Sequence, residues 1–301
     1  MSKFRFIFNP RSGHNAKNPY LLERARAFIR DEALNASVVL TERPRHATEL
    51  ARRAVDDGCD RVVAIGGDGT LNEVAAALVG TPAALGLIPC GSGNGLGRHL
   101  GIPGPGRAAF RTLLDGRIRA IDTAAADGHP FFNVMGVGFD AEIAHRFNLL
   151  TRRGLPAYVK TTLAAFRSYR RGTYVISNGT TSIETDAFIV CVANSDQYGN
   201  DCFIAPGASV DDGLLDLTIV RRANVLNALP LAVRLFTKKI EGSWHIARLK
   251  GARFTIERTA PGLLHTDGET YQAGVSIEVV VRPQSLRVLC PPALAPASGA
   301  R

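Results

Sequence analysis

Long apolar runs are missing from this chain of 301 residues. None approaches the ~20 consecutive apolar residues of a bilayer-spanning helix, so any membrane is expected to be met from its surface. The opening Met1-Ser2-Lys3-Phe4-Arg5-Phe6 runs into Asn9-Pro10 without the apolar core of a signal peptide, and the expected setting is cytoplasmic with peripheral membrane association. Cysteine is scarce and scattered. Cys59, Cys90, Cys191, Cys202 and Cys290 are odd in number and form no C-x-x-C pair, which argues for reduced, mostly buried thiols and against a structural zinc site. Acids are outnumbered, 27 Asp and Glu against 36 Lys and Arg. The resulting charge of +9 favours an anionic partner (nucleotide, nucleic acid or acidic membrane) without choosing among them. Neither a G-x-x-x-x-G-K-[ST] run nor an H-R-D or D-F-G set is present, which disfavours a P-loop ATPase and a protein-kinase fold. There is no internal repeat.

What is present is an ordinary globular balance, 46% hydrophobic and 21% charged, with enough length for two domains. Strand and helix signals alternate over residues 1–122. Phe4–Phe8, Ser37–Leu40, Arg61–Ile65 and Ala84–Ile88 read as strands; Tyr20–Arg30, Ala47–Asp57 and the stretch from Thr70 to near Gly80 read as helices. Such alternation predicts a parallel, helix-covered sheet with ligands at the strand C-terminal ends. Short β-rich runs dominate residues 123–290, which predicts an antiparallel, sandwich-like second domain. Helical segments are expected around Ala157–Arg170 and Val225–Lys239, with Pro230 bending the second or confining it to later residues. Residues 291–301, rich in Pro and Ala, read as a flexible tail.

The segment Arg61-Val62-Val63-Ala64-Ile65-Gly66-Gly67-Asp68-Gly69-Thr70-Leu71-Asn72-Glu73-Val74 carries the most information. An apolar strand stops at glycines that bracket an acid, and an amphipathic helix follows. Glycines let the backbone approach a phosphate, and helix N-terminal amides attract anions. A carboxylate there would repel phosphate unless a cation lay between them, so Asp68 points to magnesium-bound nucleotide. The blander account is a capping box of Thr70 and Glu73 behind a simple turn. Further loops follow the other strands: Asn9-Pro10-Arg11-Ser12-Gly13, Thr41 with nearby His46, and Gly91-Ser92-Gly93-Asn94. Each alone is an ordinary turn or cap; together they are expected on one edge of the sheet.

The second half offers two acidic turns. Ser209-Val210-Asp211-Asp212-Gly213-Leu214-Leu215-Asp216 could hold a hard cation or be a plain β-turn. His265-Thr266-Asp267-Gly268-Glu269 contains Asp-Gly, a strong hairpin signal, while Glu269 could accept a hydroxyl proton during attack on a γ-phosphate. In Tyr158–Arg171, Val159, Leu163 and Phe166 fall at helical spacing among Lys160, Arg167, Arg170 and Arg171. This helix rests either on anionic lipid or, with a solvated basic rim, on the β-domain.

These motifs in order resemble the diacylglycerol kinase catalytic-domain superfamily, which includes bacterial lipid kinases and sphingosine and ceramide kinases. The resemblance extends through Asn133-Val134-Met135-Gly136-Val137-Gly138-Phe139-Asp140-Ala141 and Ala205-Pro206. It implies an α/β nucleotide-binding domain with an antiparallel β-sandwich behind it, and an ATP- and Mg2+-dependent lipid kinase. By position, ATP would contact Asn9, Pro10, Arg11, Ser12, Gly13, Thr41, Gly66, Gly67, Asp68, Gly69, Thr70, Leu71, Asn72 and Ser92. Glu269 would be the proton acceptor with Asp267 nearby, and Asp68 would sit at the magnesium-nucleotide centre. A structural magnesium would use Asp212 with the backbone of Ser209 and Leu214, and Asp140 would lie near the lipid head group. The fourth turn departs from the bacterial G-T-x-N-D form, with Ser92 for Thr and Gly95 for Asp, and looks closer to sphingosine kinases. The expected substrate is diacylglycerol, then a sphingoid base or other lipid alcohol; an NAD kinase and a non-catalytic lipid- or nucleotide-binding relative are the competitors. Expected partners are lipid at an anionic membrane surface and no nucleic acid, with a homodimer allowed for.

Overall fold

A computed structural model describes residues 2–150, 161–162, 164–166, 169–221, 225–240 and 245–292. The chain divides into two compact units, Met1–Ile121 with Ser285–Arg301, and Asp122–Gln284.

The first unit is built on β1 (Lys3–Phe8), β2 (Asn35–Leu40), β3 (Arg61–Gly66) and β4 (Ala84–Pro89). They pair in parallel in the order β2-β1-β3-β4. β3 and β4 are buried along nearly their whole length, which is why they read as unbroken apolar runs. Between the strands run α1 (Tyr20–Asp31), α2 (His46–Asp56) and α3 (Asp68–Leu78), followed by α4 (Gly95–His99) and α5 (Arg107–Asp115). Phe6, Ile65, Ile88, Phe110 and Leu113 share one core with Leu21 and Ala25 of α1.

The chain leaves this unit within β5 (Arg117–Ala126) and returns within the long β18 (Ser276–Cys290). Residues 285–290 thus group with the first compact unit. The reason is pairing: Arg287 and Val288 lie parallel to Ala84 and Leu85 of β4.

The second unit is an antiparallel β-sandwich. One sheet has the order β14-β13-β10-β7-β16-β17, formed by β7 (Val134–Gly138), β10 (Ile189–Ala193), β13 (Leu215–Val220), β14 (Ile246–Gly251), β16 (Gly262–Thr266) and β17 (Glu269–Ala273). The other contains the start of β18 with β15 (Arg253–Arg258), β8 (Gly172–Ser177) and β9 (Ser182–Ala187). Met135, Val137, Val190, Leu217, Phe254, Ile256, Leu264 and Ile277 fill the space between them. β6 (His129–Phe131) stops before β7, and β9 stops before β10.

α6 (Phe139–Asn148) follows β7, and α7 (Val225–Phe236) runs continuously with Pro230 inside it. Much of the expected helix around Ala157–Arg170 lies outside the described residues, as does the tail beyond residue 292. Where that helix is described, Phe166 packs against Phe139 and Phe188, while Arg170 and Arg171 are exposed. No helix among the described residues is long and apolar enough to cross a membrane.

Candidate functional site

The strand order of the first unit places a topological switch between β1 and β3, because the chain moves from β1 to one side for β2 and to the other for β3. Open α/β sheets bind ligands at such a point, beyond the strand C-terminal ends. Asn9 follows β1 there, and Gly66 closes β3. The Asn9 carboxamide donates to Thr70 Oγ1 (2.8 Å) and its Oδ1 accepts from the Arg11 amide (2.9 Å). Buried Asn15 braces the pair, donating to the carbonyls of Asn9 (2.7 Å) and Ile65 (3.2 Å). Thr41 joins through its amide on the Phe8 carbonyl, and Cys90 through its amide on Gly66. His46 Nδ1 accepts from the Glu42 amide and so shapes the loop after Thr41.

Close packing explains two of the glycines. A Cβ on Gly66 would lie 2.7 Å from the Cβ of Thr70, and one on Gly91 would lie 2.8 Å from Asn94 Oδ1 and 3.0 Å from Asp68 Oδ2. α3 begins at Asp68 behind Gly67, with no side chain capping it. The N-terminal amides of a helix without a cap attract an anion. Ser12 Oγ is buried with no partner among the described residues, and Ser92 is exposed in the fourth turn. The side chain of Leu71 points into the core, so that residue can offer a ligand only its backbone.

Asp68 is not merely displayed at this edge. Its Oδ2 accepts from the Asn94 amide (3.0 Å) and its Oδ1 from the Gly95 amide (3.1 Å), tying the third turn to the fourth. An ionised carboxylate has about four lone-pair positions, so each oxygen keeps one. Magnesium usually retains several waters, and Asp68 fits as a partner to such a water. The capping box of the blander account does not form. Thr70 serves Asn9, and Glu73 instead accepts from the Arg45 (3.1 Å) and Ala47 (3.0 Å) amides, capping α2.

In the second unit the Asp-Gly dipeptide is the two-residue turn between β16 and β17, with positive φ at Asp267 (48°) and Gly268 (89°). The Asp267 carboxylate accepts from the amides of Phe132 (2.7 Å), Asn133 (3.0 Å) and Val134 (2.9 Å). Burial pushes this carboxyl up to about 6, against those amides and His265, which pull it down. Glu269, next in the chain, is exposed and makes no side-chain hydrogen bond or ion pair among the described residues.

Asp140, at the start of α6, is half-buried, with its side chain largely covered. Tyr198 donates to its Oδ2 (2.8 Å), and His265 Nε2 faces its Oδ1 at 3.0 Å. A Cβ on Gly136 would run into Asp140 Oδ2 and lie 2.6 Å from His265 Nε2, so glycine is required beside the pair. Burial alone would lower the His265 imidazole; the Asp140 carboxylate, and more weakly Asp267, hold it above the ordinary histidine range. Burial and the Asp140 charge push the Tyr198 hydroxyl well up, keeping it a donor at neutral pH. Each Asp140 oxygen thus has one neighbour and, as at Asp68, keeps a lone pair. Neither His265 nor Tyr198 stood out in the sequence; the only signal for His265 was its place two residues before Asp-Gly.

The 209–216 turn does not fit a dedicated magnesium site. Asp212 Oδ1 accepts from the Leu214 amide (3.0 Å), and the Lys250 ammonium stands 3.4 Å from Oδ2, where a cation would bind. Ser209 bonds to Asp211, and Asp216 is paired with Arg248 (2.8 Å) and Lys250 (3.2 Å). Among the described residues no group of three His, Cys, Asp or Glu side chains could hold a metal ion. Buried Asp122, unremarked in the sequence, anchors this turn by accepting from the Gly213 amide and reaches β18 by accepting from the Gln284 amide, both at 2.7 Å.

The family model for the diacylglycerol kinase catalytic domain matches residues 3–126, and that for the YegS C-terminal NAD kinase beta sandwich-like domain matches residues 133–290. The chain belongs to the diacylglycerol kinase and YegS-like lipid kinase family. A diacylglycerol kinase of Bacillus subtilis is 29% identical over 89% of this chain and 90% of its own. A protein of Pseudomonas fluorescens named as a YegS-like lipid kinase is 30% identical, over 90% of this chain and 92% of its own. A crystal structure of a diacylglycerol kinase from Bacillus anthracis shares the fold, with TM-score 0.76 at 20% identity over 98% of both chains. This lipid kinase is thus a phosphotransferase, and membership in a kinase family implies ATP as donor. The same findings decide against the NAD kinase and non-catalytic readings.

Proposed function

We propose that this lipid kinase transfers the γ-phosphate of magnesium-bound ATP to the free hydroxyl of diacylglycerol, giving phosphatidic acid, at an anionic membrane surface. One observation carries the reading most: the turns after β1, β3 and β4 are tied together at the switch point, Asn9 to Thr70 and Asp68 to the Asn94 and Gly95 amides, with the amides of α3 left open. Residues Asn9–Gly13, Thr41, Gly66–Asn72 and Ser92 hold the nucleotide. Bound magnesium would offset phosphate charge, with Asp68 orienting one of its waters. The lipid oxygen attacks the γ-phosphorus as its proton passes to Glu269. The bond from that phosphorus to the bridging oxygen breaks, and ADP leaves with the electron pair. Exposed, unpaired Glu269 is free to take that proton. Asp267 instead fixes the turn that carries it.

Incubation with labelled ATP, magnesium and a panel of diacylglycerol, sphingosine, phosphatidylglycerol and NAD tests the assignment, with products identified by mass spectrometry. Labelled phosphatidic acid as the main product is expected; label on sphingosine or NAD in its place overturns the substrate assignment.

A further inference from the structure

We propose that His265 and Asn148 are positioning residues for the phosphoryl transfer: they hold the Asp267–Gly268 turn against α6 and thereby set the direction of Glu269. The proposal rests on the lipid-kinase reading with Glu269 as proton acceptor. An Asp-Gly hairpin turn needs only positive φ at its central residues, and it has that. Yet this turn is held by far more than its own backbone. The Gly268 carbonyl accepts from Asn148 Nδ2 at 2.7 Å, and its amide donates to His265 Nδ1 in a long bond of 3.4 Å. The far nitrogen of the same ring faces Asp140. Asp140 and Asn148 lie in the first turn and at the last residue of α6, a helix of 10 residues, so the helix brackets the turn from both of its ends. The Asp267 carboxylate adds the amides of Phe132, Asn133 and Val134.

The Gly268 bond belongs to the neutral imidazole, in which Nδ1 accepts and Nε2 carries the proton on the side of Asp140, 3.0 Å from its Oδ1. The neighbouring carboxylates favour the imidazolium, whose Nδ1 proton ends that bond. A buried histidine-carboxylate pair is a poor device for stability alone, because desolvation offsets most of its attraction. What the arrangement does provide is a stiff mount for the residue immediately after the turn, whose own carboxylate is exposed and unpaired. A reacting group held in a productive geometry accelerates transfer, and misplacement by about 1 Å costs on the order of a hundredfold.

The test uses the full chain as wild type, His265→Leu, His265→Asn and Asn148→Ala. Amide hydrogen exchange of the 262–273 hairpin is read beside steady-state phosphate transfer from ATP to diacylglycerol in mixed micelles. His265→Leu and Asn148→Ala are expected to speed exchange around Gly268 and to lower kcat by about tenfold to a hundredfold, with KM for ATP and lipid within about twofold. His265→Asn keeps an acceptor near the Nδ1 position and is expected to recover most of the rate. Unchanged exchange or unchanged kcat in His265→Leu and Asn148→Ala overturns the proposal, as does an equal loss in His265→Leu and His265→Asn. If His265→Leu fails to fold, Asn148→Ala, which alters a half-buried residue at a helix end, decides by the same readouts. A wild-type chain that phosphorylates no lipid overturns the kinase reading, and the exchange pattern then decides alone whether these two residues hold the turn.

Discussion

Asp68 combines two tasks in one carboxylate, and its variants should separate them. Because its oxygens hold the Asn94 and Gly95 amides, Asp68→Ala is expected to lose about 2 kcal/mol of stability as well as nearly all phosphate transfer. Thermal unfolding beside an activity assay checks both; full stability with lost activity would show that the two hydrogen bonds contribute nothing. Asp267 supplies a pH signature. Its folded-state value of about 6 lies above the ordinary 3.8, so the folded chain binds this proton more tightly than the unfolded one. The stabilisation is complete below 3.8, is lost as pH rises through about 6, and is constant above it. The stability of wild type relative to Asp267→Asn should therefore fall across that interval and then level off. A difference that grows with pH contradicts the assignment. Residue identity made the acids legible in the sequence but not their partners. Nothing in a one-dimensional pattern could place Asn148 or His265 on Gly268, since those contacts depend on how α6 lies along the hairpin.

Among the elements, the parallel strands of the first unit were legible because a strand buried on both faces reads as a continuous apolar run. α6 escaped notice because Phe139–Asn148 mixes acids, bases and aromatics, burying Phe139, Ala141 and Ile143 but leaving its other faces partly open. β14 was hidden for a related reason: its residues are half-buried or exposed along their length. Capping at α3 is decided in space and not by spacing alone. Thr70 and Glu73 have the spacing of a capping box, but α3 already starts at Asp68, and the Glu73 carboxylate turns to the neighbouring helix. Glu73→Ala should therefore uncap α2 and cost about 1 kcal/mol, measured by chemical unfolding. Faster hydrogen exchange should appear at Arg45–Ala47. Exchange that rises only at the start of α3 would restore the capping-box account.

At the scale of the whole molecule, the order of motifs along the chain foretold the family and both fold types, because the glycine-rich motifs of the first unit sit where strands end. The path of the last strand was not foretold. The β-rich run at Val275–Val281 is only the start of β18, whose final residues return to pair with β4, and only long-range pairing could reveal that. The proposed transfer depends on Glu269 as proton acceptor. The most direct measurement is the single-turnover rate of labelled γ-phosphate transfer from ATP to diacylglycerol by wild type and by Glu269→Gln. The account predicts labelled phosphatidic acid from the wild type and a rate lower by about a hundredfold or more in the variant, with ATP bound equally well by both. No labelled lipid from the wild type, or a variant as fast as the wild type, would contradict it.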